Sequence, residues 1–446
     1  MRAHEHGVSR QRAAARRLSG AGWRIVLLAS LGGTLEFYDF VIFGIFAKDI
    51  AEAVFPIASP LVSLMASFAA FATGYLARPI GGIVLSHYGD RFGRRRVFLA
   101  SVFAMSGATV GMGIVPDYAR WGIGASALMV LLRLVQGFCL GGELPGALTY
   151  AVETAPELAP LVCAVVFACV TMGVAVATGV NLAVRVILAP PSVPVYGWRI
   201  GFIAGGLGGA MTFALRRSLE ESPEFARMRA LALRRPFREL LKTHTPSAVA
   251  GCALLAATAC FNGLYFSHLP AYLTAVLHYD ARRAVVTQTV GVTVHALAIL
   301  LVGWIADRVP PRQLLRSGAL LLLLLAYPFY YALATRALDL SIVLVLAGLC
   351  GGLINGSFAA LLTDLFPTRV RFSGVALSFN IAFTVFSGMA PLVATTLIQA
   401  TGSPAAPAIV MAVGAAISLS ASVMAPPLGG HLLGDGIRIE KPGNGE

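Results

Sequence analysis

Three ionisable side chains fall inside apolar stretches, and their types and spacing suit proton and anion chemistry. Glu36 and Asp39 are three residues apart, so they share one face of a predicted helix. Arg133 lies in a later apolar stretch; at about 1.5 Å of rise per residue it reaches nearly the depth of Glu36. An ionised group at mid-membrane costs at least about 2.5–3.5 kcal/mol, so these residues are expected to face a cavity or to have a partner.

These residues predict a proton-coupled site. Either carboxylate could pair with Arg133, and a second carboxylate beside the pair would hold a proton rather than a charge. We therefore predict that Glu36 and Asp39 carry the coupled proton. Arg133 is predicted to bind a substrate carboxylate or to switch between carboxylates. The alternative is a permanent ion pair that fixes two helices, although buried ion pairs stabilise poorly for their cost.

The composition indicates the elements that position these residues. Hydrophobic residues make up 57% of the 446-residue chain and charged residues 12%, against about a quarter charged in soluble domains. The uncharged stretches are about twenty residues or longer, which suits membrane-crossing helices and not the short alternating strands of a barrel. The sequence predicts an all-α integral membrane protein with twelve transmembrane helices in two six-helix, pseudo-symmetric halves.

The net charge of +13 indicates how the chain is oriented in the membrane and does not indicate a nucleic-acid partner. Most of the 34 Lys and Arg residues fall in the two tails, a central linker and alternate loops, which the positive-inside rule assigns to the cytoplasm. We predict a multi-pass protein of the bacterial inner membrane with both termini cytoplasmic. The predicted segments are a tail 1–22, a first half 23–215, a cytoplasmic linker 216–246, a second half 247–426 and a cytoplasmic tail 427–446.

Two motifs recur at nearly one offset, which indicates an internal duplication. Asp90-Arg91 is matched by Asp307-Arg308, and the acidic residue three before a proline at Glu153 is matched at Asp364. No phosphate-binding glycine loop, nucleophile with its base or metal-ligand cluster is visible in the sequence. The prediction is therefore a non-enzyme with no cofactor and no metal site.

The stretch Gly89–Arg96 resembles the signature loop between the second and third helices of the major facilitator superfamily. Arg133-Leu134-Val135-Gln136-Gly137 resembles the second signature of that superfamily. Four stretches are similar to its metabolite:proton symporter branch, which includes carriers of citrate, 2-oxoglutarate, shikimate, proline and betaine. They begin at Glu36, Arg78, Leu219 and Leu365.

The resemblance implies the major facilitator fold and alternating access between two halves. It also implies a cytoplasmic gate. The residues assigned to this gate are Arg78, Gly89, Asp90, Arg91, Gly93, Arg94, Arg95, Glu143, Asp307, Arg308 and Arg369. Arg78 is expected near the cytoplasmic end of its helix, serving the gate with Asp90 or reaching lipid phosphate.

In the superfamily, helices 1, 4, 7 and 10 line a central cavity. The substrate-binding residues that this implies are Arg133, Gln136, Tyr38, Asn262, Tyr265 and Asn355, with His268 and Ser357 as further polar lining. His295 lies near mid-depth, where a lone histidine is more often a hydrogen-bonded packing residue. The sequence departs from the branch at Ser86, Thr34 and Phe37, and the loop after Glu153 lacks the arginine expected beyond its proline.

We interpret the chain as a proton-coupled symporter that imports a small polar metabolite, most plausibly a di- or tricarboxylate. It is expected to work as a monomer whose partners are its substrate, protons and the lipid bilayer. The alternatives are a proton-coupled exporter, a proline or betaine carrier, and a non-transporting membrane sensor. The fifth apolar stretch lacks the glycine-proline motif usual in antiporters of the superfamily, which counts against export.

Overall fold

The computed structural model describes residues 20–92, 94–217, 236–306, 308–425 and 430. Some of these are described by their helical backbone alone, Glu36, Gly89, Asp90, Arg91, Arg94 and Arg95 among them. Gly93 and Asp307, both assigned to the gate from sequence, lie outside the described residues. The described secondary structure consists of helices and turns.

Twelve long helices are described, and only these are numbered. The first six are α1 (Gly20–Ile45), α2 (Pro60–Phe92), α3 (Arg94–Gly113), α4 (Ile123–Thr154), α5 (Pro156–Ile187) and α6 (Trp198–Arg217). The last six are α7 (Thr245–Leu254 with Ala256–Val276), α8 (Ala281–Ile305), α9 (Pro311–Thr335), α10 (Leu340–Asp364), α11 (Arg371–Thr401) and α12 (Pro407–Met424). The predicted linker 216–246 contains a short helix, Pro236–Thr243, anchored by the buried Leu240.

Eight of the described helices are long and apolar enough to cross a membrane. The segment α7, bent by 41° near Leu255, makes a ninth. The remaining three are α1, α3 and α6; α3 contains a shorter apolar stretch, Leu99–Gly113. The twelve helices match the predicted number of spans, and α2 continues to Phe92, into the charged stretch that was expected to be a loop.

The helices pack in the same pairs twice. In the first half α2 packs on α4, α3 on α6 and α1 on α5. In the second half α8 packs on α10, α9 on α12 and α7 on α11, which are the same pairs six helices later. Across the halves α5 packs on α8 and α2 on α11, again one pair and its repeat. This repetition is the structural counterpart of the duplicated motifs.

The halves touch at both ends of the bundle. We call the end where α6 stops and α7 begins the linker end, and the opposite end the distal end. At the distal end Ala47, Leu64, Phe68 and Ala271 form a buried apolar cluster between the halves. At the linker end an ion pair joins α4 to α11, and a hydrogen bond joins the same two helices further along.

Candidate functional site

Arg133 lies in α4 with its guanidinium group fully buried. Its Nη2 donates to the carbonyl oxygen of Phe40 at 2.9 Å, and its Nη1 donates to Oε1 of Gln136. Its Cζ lies 3.9 Å from the centre of the Phe40 ring and 4.8 Å from that of Phe71. The Nε–H has no hydrogen-bond partner among the described residues. The cation is therefore held by aromatic rings and neutral oxygens.

A second buried cation, Arg78 of α2, faces the same Phe40 ring from 5.6 Å. It also faces Tyr75 of its own helix and two rings of α11, Phe379 and Phe383, at 5.4–5.9 Å. It therefore sits between the halves. Its Nε and Nη1 lack hydrogen-bond partners within the described part of the chain.

Close contact between α2 and α4 brings the two arginines to a common ring. A Cβ atom added to Gly137 of α4 would lie 1.9 Å from the carbonyl oxygen of Gly74 in α2. Only glycine allows backbones this close, and small residues serve the same purpose widely between membrane helices. Gly74 lies one turn from Arg78, and Gly137 lies one turn from Arg133.

The two cations have no acidic partner among the described side chains. The ion pairs of the described chain join other residues, all of them nearer the ends of the bundle. Cation–π contacts contribute about 0.5–2 kcal/mol, and those of Arg78 are close to the outer limit of about 6 Å. These contacts and the two hydrogen bonds of Arg133 offset part of the cost of burying the cations, but they supply no negative charge. Among the described side chains no negative charge balances the two cations, and their unused N–H donors suit a carboxylate.

Asp39 is buried on α1, with 1% of its surface exposed, but it points away from the two arginines. Its carboxylate lies against α6, since a Cβ atom on Gly205 would come within 2.3 Å of Oδ1 and one on Gly209 within 3.4 Å of Oδ2. Neither oxygen has a hydrogen-bond partner among the described residues. A lone buried carboxylate without a cation is far costlier than a neutral carboxyl group. The surroundings therefore fit a protonated Asp39.

The predicted Asp39–Arg133 ion pair is not formed in this structure. Instead α4 holds the α1 backbone at this point: Gln136 Nε2 donates to the carbonyl of Asp39 at 2.9 Å, while Arg133 holds the next carbonyl. Gln136 also donates to Thr109 of α3 at 2.9 Å. The helix is described at Glu36 but not its side chain. Its assigned proton role stays a prediction.

The four remaining substrate-binding candidates make contacts within one half. Tyr38 donates to the carbonyl of Gly201 in α6 at 2.9 Å, and Tyr265 donates to the carbonyl of Leu344 in α10 at 2.7 Å. Asn262 of α7 and Asn355 of α10 hydrogen-bond to each other at 2.8 Å. Both tyrosine hydroxyl groups thus donate to backbone carbonyls. Among the described residues, Nδ2 of Asn262 and Oδ1 of Asn355 have no hydrogen-bond partner.

The gate role assigned to Arg78 stays a prediction, but its alternative, contact with lipid phosphate, is not formed. Because α2 extends to Phe92, Arg78 lies near the middle of its helix and has 1% of its surface exposed, which excludes contact with lipid phosphate in this structure. Glu143 is half-buried in the first turn of the second segment of α4, where a negative charge complements the helix dipole. Arg308 is exposed with its guanidinium 4.3 Å from the Trp304 ring, and Arg369 is exposed before α11.

The cross-half ion pair at the linker end joins two residues that the sequence analysis did not pair. Arg371 Nη1 of α11 lies 3.4 Å from Glu153 Oε1 of α4. Nearby, Asn380 Nδ2 of α11 donates to the carbonyl of Gly141 at 2.6 Å. The repeated acid-x-x-proline motif marked Glu153, and Arg371 follows the second copy of that motif by four residues. The signal was present, but it did not indicate that the two copies lie against each other.

The sequence profile described as Major Facilitator Superfamily matches residues 29–391. The chain belongs to this superfamily. The citrate-proton symporter of Klebsiella pneumoniae is 33% identical over 407 residues, covering 90% of this chain and 91% of the relative. The proline/betaine transporter of Salmonella typhimurium is 28% identical, covering 89% and 82%. These relatives confirm the resemblance to the metabolite:proton symporter branch and a transporter rather than an enzyme.

Solved structures of the superfamily have the same fold. The proton:xylose symporter XylE bound to 6-bromo-6-deoxy-D-glucose superposes with a TM-score of 0.71 at 16% identity, covering 91% of this chain and 95% of XylE. A partially occluded inward-open form of XylE from E. coli gives 0.70 at 17% identity, covering 91% and 97%. The predicted twelve-helix fold is confirmed, and this is a multi-pass membrane protein.

Proposed function

We propose that this transporter carries an organic acid with two or more carboxylates across the membrane together with protons. The observation that carries the proposal is the pair of buried guanidinium groups, Arg78 and Arg133, which face one phenylalanine ring without an acidic partner among the described residues. A bound dicarboxylate supplies the missing negative charge and accepts the unused N–H groups. The citrate-proton symporters that resemble the chain favour the same substrate class.

In this proposal the substrate binds at the two arginines, and the proton binds at Asp39. Substrate carboxylates bind Arg133 and Arg78 when one end of the bundle is open. Arg78 also contacts α11, so neutralising its charge favours closure of the halves around the substrate. Asp39 carries the proton in a separate pocket against α6. Loss of that proton would place a bare carboxylate there and favour a conformer that hydrates it.

The positions of Arg133 and Gln136 connect substrate binding to proton binding at Asp39. Both side chains bond to α1 carbonyl groups, one at Asp39 itself and one at the residue that follows. A substrate that draws the Arg133 guanidinium away frees the α1 backbone next to the proton site. A charge on Asp39 would in turn displace the same backbone. The substrate and the proton thereby act on one shared helix.

A proline or betaine carrier is the second candidate, because relatives described as proline/betaine transporters also match. Aromatic rings recognise quaternary ammonium groups, and the site contains several rings. Here, however, the rings of Phe40, Phe71, Phe379 and Phe383 already face the guanidinium groups of the protein. A cationic head group would have to compete with them, which favours the anionic substrate.

The remaining features belong to the same proposal. The linker end is assigned to the cytoplasm because basic residues concentrate in the linker and the tails. The protein then lies in the bacterial inner membrane with both termini cytoplasmic. It works as a monomer, imports its substrate on the proton gradient and needs no cofactor.

The test is uptake of radiolabelled citrate, proline and glycine betaine into proteoliposomes, with and without an inward proton gradient. We expect gradient-driven accumulation of citrate. Arg133→Gln and Arg78→Gln should each reduce it at least about tenfold, since each removes one charge-assisted contact of about 1.5–3 kcal/mol. Arg283→Gln is the matched control, because Arg283 is an exposed arginine paired with Asp339 at the distal surface.

Three outcomes decide between the candidates. Citrate accumulation only with the gradient, lost in both site variants and kept in Arg283→Gln, supports the proposal. Accumulation of proline or betaine without citrate supports the zwitterion carrier. Citrate uptake that ignores the gradient, or gradient-driven efflux alone, overturns proton-coupled import.

A further inference from the structure

The second half contains a buried polar cluster formed by His295, Asn355 and Asn262. His295 Nδ1 lies 2.8 Å from the carbonyl oxygen of Gly348, and its Nε2 lies 2.9 Å from Nδ2 of Asn355. The same Nδ2 donates to Oδ1 of Asn262 at 2.8 Å. All three side chains are at most 3% exposed. Since Gly348 can only accept, Nδ1 carries the hydrogen, Nε2 accepts, and His295 is neutral in this arrangement.

Two atoms of this cluster have no partner among the described residues, and they are one donor and one acceptor. They are Nδ2 of Asn262 and Oδ1 of Asn355. If both amides rotate by half a turn, Oδ1 of Asn355 meets Nε2 of His295, and Nδ2 of Asn262 meets that same oxygen. This second arrangement has as many hydrogen bonds as the first. It requires a hydrogen on Nε2, and therefore a protonated imidazole ring.

We infer that His295 is a second proton-binding site of this transporter. When it binds a proton, the side-chain amides of Asn355 and Asn262 both rotate by half a turn. A proton from water forms an N–H bond at the Nε2 lone pair, and the same bond breaks when the proton leaves. The number of hydrogen bonds is unchanged and the new Nε2–H has an acceptor, while the amide N–H groups of Asn355 take the place of those of Asn262 as donors without a partner among the described residues. The inference deepens the proposed function by adding a proton to the transport cycle.

The cluster lies where two helices depart from regular α-helical geometry. Asn262 directly precedes the π-helical turn Gly263–His268 of α7, and Asn355 ends the first segment of α10. Such irregular turns are frequent at functional sites. The π-helical turn also contacts the other half, because Ser267 packs on Gly44 of α1. A rotation of the Asn262 amide therefore occurs next to the turn that contacts the other half.

Among the described residues, no charged side chain pairs with His295. Tyr265 faces the ring with 6.1 Å between centres and donates its hydrogen to Leu344. The other titratable or charged side chains on the helices packed against α8 are Cys252, Cys260, His268 and Tyr272 of α7, Glu157, Cys163, Cys169 and Arg185 of α5, and Cys350 and Asp364 of α10. Within the described chain, the ring nitrogens of His295 bond to Gly348 and Asn355 and to none of these.

The test uses ¹⁵N NMR of histidine-labelled protein in lipid nanodiscs, titrated from about pH 8 to about pH 5. We expect a neutral Nδ1–H ring that becomes an imidazolium, with the signal identified by its loss in His295→Gln. Asn355→Leu removes the acceptor and should keep His295 neutral throughout. Asn355→Asp can only accept and should keep it protonated at pH 8. His268 is the internal control: it is equally buried, neither ring nitrogen has a hydrogen-bond partner among the described residues, and it should stay neutral.

A wild-type His295 that stays neutral throughout, or an Asn355→Leu variant that titrates like the wild type, overturns the inference. A transport measurement adds a second readout: the ratio of protons to citrate in proteoliposomes should fall by one in His295→Gln. An unchanged ratio also overturns it. Because NMR needs no substrate, the protonation of His295 is decided even if citrate transport fails, and the two proposals can be judged separately.

Discussion

Arg371 and Glu153 form an ion pair of 3.4 Å that joins the two halves at the linker end. The two partners are unequal. Arg371 also donates through Nε to the carbonyl groups of Thr363 and Phe366 in its own half, so its position does not depend on Glu153. Glu153 is the partner whose loss removes the cross-half contact and little else.

Glu153→Gln is therefore expected to open the linker end. A pair with side chains 4% and 19% exposed lies between a surface and a buried ion pair, and removing its charge should shift the closed-to-open ratio about tenfold. Thr154 and Thr368 are both exposed at this end. Spin labels attached at these two positions would lie further apart in the open form, and electron paramagnetic resonance would measure the distance between them. The six native cysteines would first be replaced.

The control for this experiment is Asp339→Asn, which breaks an ion pair with Arg283 inside one half at the distal end. It should leave the distance between the two labels unchanged. If Glu153→Gln also leaves that distance unchanged, the ion pair does not hold the linker end closed.

Asp39→Asn should uncouple substrate movement from the proton gradient. The amide resembles the protonated carboxyl group that the pocket favours, so the protein should fold and bind substrate normally. Gradient-driven accumulation should fall at least about tenfold, while exchange of labelled for unlabelled citrate persists, because exchange needs no net proton release. Parallel accumulation and exchange measurements on one preparation check this. Equal loss of both would assign Asp39 a structural role.

Gly205→Ala is expected to disturb the same pocket from the other side. The added methyl would lie 2.3 Å from Asp39 Oδ1 and 2.6 Å from a Tyr38 ring carbon, so both side chains must move. Overpacking of this kind costs about 1–3 kcal/mol. Gly208→Ala is the matched control on the same helix, where the methyl meets Leu35 at an ordinary 3.5 Å. A lower melting temperature and weaker accumulation should follow in Gly205→Ala, and neither in Gly208→Ala.

Asp339 gives a pH-dependent prediction outside the membrane-crossing helices. The backbone N–H of Ser341, which it caps, and then Arg283 hold the pKa of this carboxyl below its usual value. A lowered folded-state pKa stabilises the protein above the unfolded-state pKa of about 3.9, and that contribution is lost as the pH falls through the folded-state value. Asp339→Asn should therefore slightly lower the melting temperature at neutral pH, with the gap to wild type closing in acid. A gap that persists unchanged in acid would contradict this.

The twelve helices and their duplication were predictable because hydropathy and motif spacing depend on local sequence. The burial of Asp39 and Arg133 followed from the cost of charge in a membrane. What could not be predicted is which way each side chain faces around its helix. Depth along the axis is fixed by the rise per residue, whereas the facing direction depends on neighbours such as Gly205, 166 positions later in the numbering (205 − 39).

Arg78 shows the second limit. Its helix was expected to end before the charged loop, but α2 continues to Phe92, into that loop. Roughly two extra turns place Arg78 near the middle of its helix, and its contacts with Phe379 and Phe383 place it where the halves meet. Helix ends that carry basic residues are ambiguous in sequence, because charge alone does not terminate a helix.

The ion pair between the halves at the linker end and the apolar cluster at the distal end give the transporter two separate physical sensitivities. Dissolved salt weakens attraction between opposite charges, so raised ionic strength favours opening at Glu153 and Arg371. Cooling weakens the association of apolar side chains, so low temperature favours opening at Ala47, Leu64, Phe68 and Ala271. The side of the membrane that the empty carrier faces should therefore vary with the osmotic and thermal conditions of the cell.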